Sequence, residues 1–126
     1  MTRPAMRISG ATIGAPDPGE LAKFYSALLG WPSEIEKNWA QIRSPGGDGL
    51  SRLDFEVEHD YVRPTWPSKP GQQQIMTHLD IEVDDLAAAV AWAEQHGAVQ
   101  AEHQPQSDVR VMLDPAGHPF CLFTND

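Results

Sequence analysis

His78, Asp80 and Glu82 occupy alternate positions of the run Thr77-His78-Leu79-Asp80-Ile81-Glu82-Val83, and the single cysteine, Cys121, stands between Phe120 and Leu122. Imidazole and thiolate together hold the softer divalent ions, zinc or ferrous iron among them. A cysteine also serves as a nucleophile when a base is beside it, and His78 is the one candidate base for Cys121. Against both uses stands the ordinary role of a free cysteine, a small buried filler. In that case His78 is a hydrogen-bonding residue of a pocket.

The elements that must position these side chains repeat. Ser9-Gly10-Ala11-Thr12-Ile13-Gly14-Ala15-Pro16-Asp17 aligns with Thr77-His78-Leu79-Asp80-Ile81-Glu82-Val83-Asp84-Asp85 at an offset of 68 residues. Both segments alternate in period two, as half-buried strands do. Each leads into a helix. Asp17, Pro18 and Glu20 make an N-cap, a first-turn proline and a capping-box acid, and Gly30 supplies the stop. The second helix starts near Asp85, carries Leu86, Ala89, Val90 and Ala93 on one stripe, and stops at Gly97. Three short strands should follow each helix, near residues 33–36, 39–43 and 50–58 and then near 98–102, 109–113 and 120–124. Gly46-Gly47-Asp48-Gly49 and Asp114-Pro115-Ala116-Gly117 are turns before the last strands. Both halves therefore read as strand, helix, strand, strand, strand. They form modules of about 6–58 and 75–125, joined by a proline-rich linker at 59–74, within one domain spanning 1–126.

Alternation also assigns faces. If Leu79, Ile81, Leu53, Phe55, Phe120 and Leu122 pack beneath the helices, then His78, Asp80, Asp54, Glu56, Cys121 and Phe123 turn the other way. Trp39, Gln41, Arg110 and Met112 are expected to complete that lining, with Trp66 folding back from the linker. Acidic groups, a histidine, an arginine and aromatic surface suit a small polar ligand with an apolar part.

A chain of 126 residues with 40% hydrophobic residues is one soluble domain of ordinary size. Its formal charge of −9 disfavours nucleic acid and anionic membranes as partners, since both ask for a basic face. No apolar run approaches the length needed to cross a bilayer, and the N-terminal residues lack the apolar core of a secretory signal. With no cysteine pair for a disulfide, the expected location is cytoplasmic.

Taken together, Leu21-Ala22-Lys23-Phe24-Tyr25-Ser26-Ala27-Leu28-Leu29-Gly30-Trp31, His78-Leu79-Asp80-Ile81-Glu82-Val83-Asp84-Asp85 and Asp114-Pro115-Ala116-Gly117-His118-Pro119-Phe120-Cys121-Leu122 resemble the vicinal oxygen chelate superfamily of glyoxalases, bleomycin-resistance proteins and extradiol dioxygenases. With Pro64-Thr65-Trp66-Pro67, the resemblance extends to a glyoxalase-like bacterial branch. It implies an α+β fold of two βαβββ modules whose mixed sheets curl into a ligand cup, usually in a homodimer. Metal-dependent members hold a divalent ion with two side chains from each module, and these map onto Gly10, Glu56, His78 and Cys121. Gly10 offers no ligand and Cys121 replaces a carboxylate, so Glu56, His78 and Cys121 remain as candidates, with Asp54 or Asp80 in support. No cofactor is assured; an ion would be zinc, iron, nickel, cobalt or manganese. The functional expectation is a small-molecule-binding protein with a degenerate metal site. The alternatives are a divalent-metal lyase, isomerase or dioxygenase, and a non-catalytic structural or partner-binding domain.

Overall fold

The computed structural model describes residues 2–47 and 50–125. The chain divides into two compact units, Met1–His59 and Asp60–Asp126. The first unit contains β1 (Gly10–Ala15), α1 (Pro18–Leu29), β2 (Ser33–Ile35), β3 (Trp39–Arg43) and β4 (Arg52–Val57). The second contains β5 (Leu79–Glu82), α2 (Leu86–Gln95), β6 (Val99–Gln100), β7 (Val109–Leu113) and β8 (Pro119–Phe123). Each unit is a βαβββ module with one mixed four-stranded sheet, ordered β1-β4-β3-β2 and β5-β8-β7-β6. The first and last strands of each module are parallel and the other pairs antiparallel. The α+β class and the doubled module are as the sequence led one to expect. Of the first glycine-rich turn, Asp48 and Gly49 lie outside the described residues.

The helix signals act where they were read. Asp17 accepts the Glu20 amide at 3.1 Å, which satisfies a donor left open by the first turn of α1. Gly30 adopts a left-handed φ of 73°, and its amide closes on the Ser26 carbonyl at 2.9 Å. Asp85 caps α2 in the same way through the Ala88 amide. Leu21, Ala22, Phe24 and Tyr25 of α1 are buried, as are Ala40, Ile42, Leu53 and Phe55 of β3 and β4. Tyr25 stacks on Phe55 with ring centroids 5.8 Å apart. Each large apolar side chain buried in this way contributes about 1.5–3 kcal/mol. The second unit has a leaner core of Ala93, Ala98, Ala101, Val111, Met112, Phe120 and Leu122. Of the expected α2 stripe only Ala93 is fully buried; Leu86, Ala89 and Val90 are half-buried.

The stretch between the modules is bound to the second unit. Tyr61 donates its hydroxyl to the Ala116 carbonyl at 2.7 Å, Arg63 reaches the Pro115 carbonyl at 3.4 Å, and Trp66 donates to the His103 carbonyl at 3.0 Å. The first two contacts grip the turn that launches β8, and the third ties the linker to the stretch between β6 and β7. Inside that turn the buried Asp114 carboxylate accepts the amides of Ala116 and His118, each at 3.0 Å. Gly117 sits at φ 89°, a conformation that costs other residues energy, with the Arg63 side chain packed where a Cβ would be. Burial first, and then the nearby Asp114 carboxylate, push the Tyr61 phenol up to about 12.

Tyr61→Phe removes the hydroxyl that satisfies the Ala116 carbonyl. It should cost about 1 kcal/mol in urea unfolding with little change in the slope. An unchanged midpoint would show that the strap does not secure the turn.

Candidate functional site

The pairing of β5 with β8 sets Asp80 directly beside Cys121. His78 lies immediately before β5, and its Nδ1 is 3.0 Å from Asp80 Oδ1. The Cys121 thiol hydrogen-bonds the Asp80 carboxylate. One donor atom from each of His78, Asp80 and Cys121 lies within 4.8 Å of the other two. His78 and Asp80 are exposed and Cys121 is half-buried, so the cluster is open to solutes at one side and walled at the other.

Electrostatics decides the resting state of the sulfur. Burial, then the Asp80 charge, then the hydrogen bond to Asp80 all raise the Cys121 pKa. The group is therefore a thiol at neutral pH, and a carboxylate that accepts its proton opposes the thiolate a nucleophile needs. A cation changes the balance. A bound cation would offset the Asp80 charge and favour the Cys121 thiolate, so binding would strengthen as pH rises. The donor set of imidazole, carboxylate and thiolate fits zinc, cobalt or ferrous iron and is poorly matched to magnesium or calcium.

The first unit meets the corresponding positions differently. The N-caps Asp17 and Asp85 preserve the 68-residue offset, so Gly10 corresponds to His78 and Thr12 to Asp80. Thr12 pairs with Asp54 as Asp80 pairs with Cys121. The counterpart of Cys121 is therefore Asp54, which corrects the expected equivalence with Glu56. Glu56 pairs with Gly14 and answers to Phe123, which pairs with Glu82. Glu56 is exposed and lies across from Trp39. Asp54 accepts from Gln41 Nε2 at 2.8 Å and has Arg52 Nε 3.3 Å from its second oxygen. That second contact lies off the hydrogen-bonding direction and is electrostatic. Arg52 also covers Gly10: a Cβ there would lie 2.8 Å from the Arg52 carbonyl and 2.9 Å from its Nε.

The remaining expected lining divides. Trp39 and Gln41 share a face with Glu56 and Asp54. Phe123 shares a face with Cys121 and is half-buried. Arg110 pairs with Leu122 and Met112 with Phe120, which turns both towards the helix side, away from Cys121. Their assignment to the lining is therefore corrected; Met112 is fully buried core. Val111 stands opposite Cys121 instead. An arginine on the helix side can still reach solvent with its head group while its stem lies along apolar surface. Trp66 lies against His103, with ring centroids 6.0 Å apart. Sequence reasoning gave Asp80 only a supporting place; strand pairing makes it the centre of the cluster.

Among known proteins, a family described as a glyoxalase-like domain matches residues 10–123. No curated protein matches the chain. Among solved structures, a glyoxalase/bleomycin resistance protein/dioxygenase family enzyme from Burkholderia phytofirmans PsJN is similar with a TM-score of 0.68 at 17% identity, covering 94% of this chain and 98% of the other. A glyoxalase/bleomycin resistance protein from Albidiferax ferrireducens T118 gives 0.65 at 20% identity with the same coverage. A glyoxalase-related enzyme from Fulvimarina pelagi gives 0.68 at 17% identity, covering 96% and 89%. At these identities the likeness establishes the fold.

Two substitutions test this geometry. Asp80→Asn removes a charge that raises the Cys121 pKa, so the pH midpoint for iodoacetamide alkylation of this sole cysteine should fall. The fall should be partial, because burial is the larger cause. An unmoved midpoint would separate Asp80 from the thiol. Gly10→His should not create a ligand; it should destabilise the protein by about 1–3 kcal/mol through overpacking against Arg52. A variant as stable as the parent, with gained metal affinity, would contradict the contact.

Proposed function

The chain belongs to the glyoxalase-like domain family, and from that premise we propose that it is a small-molecule-binding protein with a degenerate metal site. The observation that carries this reading is the accessible convergence of His78, Asp80 and Cys121 in one unit. The corresponding place in the other unit is taken by Arg52 and Asp54. The ligand is a small oxygenated molecule held on the face of the second sheet that carries Cys121. His78 and Asp80 supply a donor and an acceptor to its oxygens, and Trp66 and Phe123 supply apolar surface. Gln41 and Asp54 furnish a second polar patch, on the first sheet. The protein acts in the cytoplasm as a homodimer of single-domain chains, with neither nucleic acid nor membrane as partner. No helix among the described residues is long and apolar enough to cross a membrane.

A second reading, a metal-dependent lyase, isomerase or dioxygenase, is favoured by the chemistry of the donors. His78, Asp80 and Cys121 would hold zinc, iron, nickel, cobalt or manganese. When bound, the ion supplies Lewis-acid polarisation of a substrate oxygen. In that state Asp80 orients the His78 imidazole and Cys121 gives up its proton.

The two readings part in one experiment. Small hydroxy acids, keto acids and catechols are screened by thermal shift against chelator-treated protein, and hits are measured by calorimetry. Binding should persist without metal and weaken about tenfold or more in His78→Ala, the size expected for loss of a hydrogen bond to a charged group. Binding that appears only with metal supports the enzyme. Hits that ignore His78→Ala and Cys121→Ala contradict both.

A further inference from the structure

We propose that the open face of the first sheet carries an oxyanion site, built on Arg43 and Arg52, that takes a carboxylate or phosphate group of a small ligand. This inference stands on the first unit alone and is independent of the role proposed for His78, Asp80 and Cys121.

The register carries it. Arg43 and Arg52 are direct cross-strand partners on β3 and β4. The amide of Ser44 bonds to the Ser51 carbonyl, and that of Val57 to the Asn38 carbonyl. These fix Ser44–Ser51 and Asn38–Val57 as hydrogen-bonded positions of the antiparallel ladder. Arg43–Arg52, one residue away, is a non-hydrogen-bonded pair, where facing side chains come closest. Like charges opposite one another in this position destabilise a sheet.

Among the described residues only Arg52 has a carboxylate partner. Asp54 lies against Arg52, while Arg43 Nε donates at 2.6 Å to the neutral amide oxygen of Gln41. Glu34 stands opposite Gln41 and Glu56 opposite Trp39, on the same face; neither forms an ion pair with an arginine among the described residues. No η nitrogen of Arg43 or Arg52 donates a hydrogen bond to the protein among those residues. Arg43 is exposed and Arg52 retains 32% side-chain exposure.

The pair is also held in place. Gln41 is 8% exposed and spans the network, donating to Asp54 and accepting from Arg43. Arg43 is held through its Nε hydrogen bond to Gln41, and Arg52 lies against Asp54, which Gln41 also binds. A guanidinium fork matches the two oxygens of a carboxylate or phosphate, and an anion shared by two forks relieves their repulsion. The sequence signal was present, since Arg43 ends one strand and Arg52 begins the next, but only the register makes them partners.

The test follows arginine Nε–H signals by NMR while inorganic phosphate or malonate replaces chloride at constant ionic strength. Saturable shifts are expected at Arg43 and Arg52, and the tighter of the two probes identifies phosphate or carboxylate as the preferred group. Arg43→Gln should weaken binding about tenfold, as expected for losing charge-assisted hydrogen bonds. Arg43→Lys should fall short of the parent because it keeps the charge but lacks the fork, and Lys23→Gln should change nothing. Arg52→Gln risks the contact with Gly10, so Arg43→Gln decides. Shifts that track ionic strength alone, or equal affinity in Arg43→Gln, overturn the site. So does an Arg43→Gln variant that alters oligomeric size but not anion binding, since the partner would then be a protein carboxylate.

Discussion

The parallel pairing of the first strand of each unit with its last strand is the constraint on which the rest depends. It lets a side chain from one end of a module meet one from the other end on the same face. In the second unit the pairing brings Asp80 to Cys121, and in the first it brings Thr12 to Asp54. A slip of one residue would turn Cys121 towards the helix and Phe120 outwards. Register is held from two sides: Phe120 and Leu122 are fully buried, and the Asp114 turn, strapped by Tyr61 and Arg63, fixes where β8 begins. The chemistry of Cys121 is thus decided partly by residues that touch no ligand.

The same ladder produces different electrostatics in the two units. One places a thiol and an imidazole around a carboxylate, an arrangement whose charge favours a cation. The other places two guanidiniums beside a carboxylate and an amide, with Glu34 and Glu56 on the same face. Gly10 marks the divergence. Its counterpart His78 offers a ligand, whereas Gly10 leaves the space that Arg52 fills. A doubled fold does not imply doubled function, and here the halves have specialised.

The fold was legible because its signals are local. Asp17, Pro18 and Gly30 mark α1 through capping physics, and the repeat carries that assignment to Asp85. The core residues of β4 and β8 followed from period-two alternation, with Leu53, Phe55, Phe120 and Leu122 buried. The site was less legible because cross-strand pairing is not local. Asp54 rather than Glu56 answers to Cys121, a two-residue difference that alternation cannot detect, since both lie on one face. Arg110 and Met112 were misplaced because β7 reads Val-Arg-Val-Met-Leu, in which the face carrying the charge also carries Met112, the fully buried residue. Trp66 was expected to fold back from the linker; the anchors of Trp66 and Tyr61, the His103 and Ala116 carbonyls, are backbone atoms that no side-chain pattern discloses.

The central claim is that the second unit alone supplies the donors for any cation. The most direct measurement is cobalt(II) titration followed by thiolate-to-cobalt charge-transfer absorption. The account predicts a weak, saturable signal that is lost in Cys121→Ala, His78→Ala and Asp80→Ala and retained in Glu56→Ala. A signal lost in Glu56→Ala but kept in Asp80→Ala would contradict it.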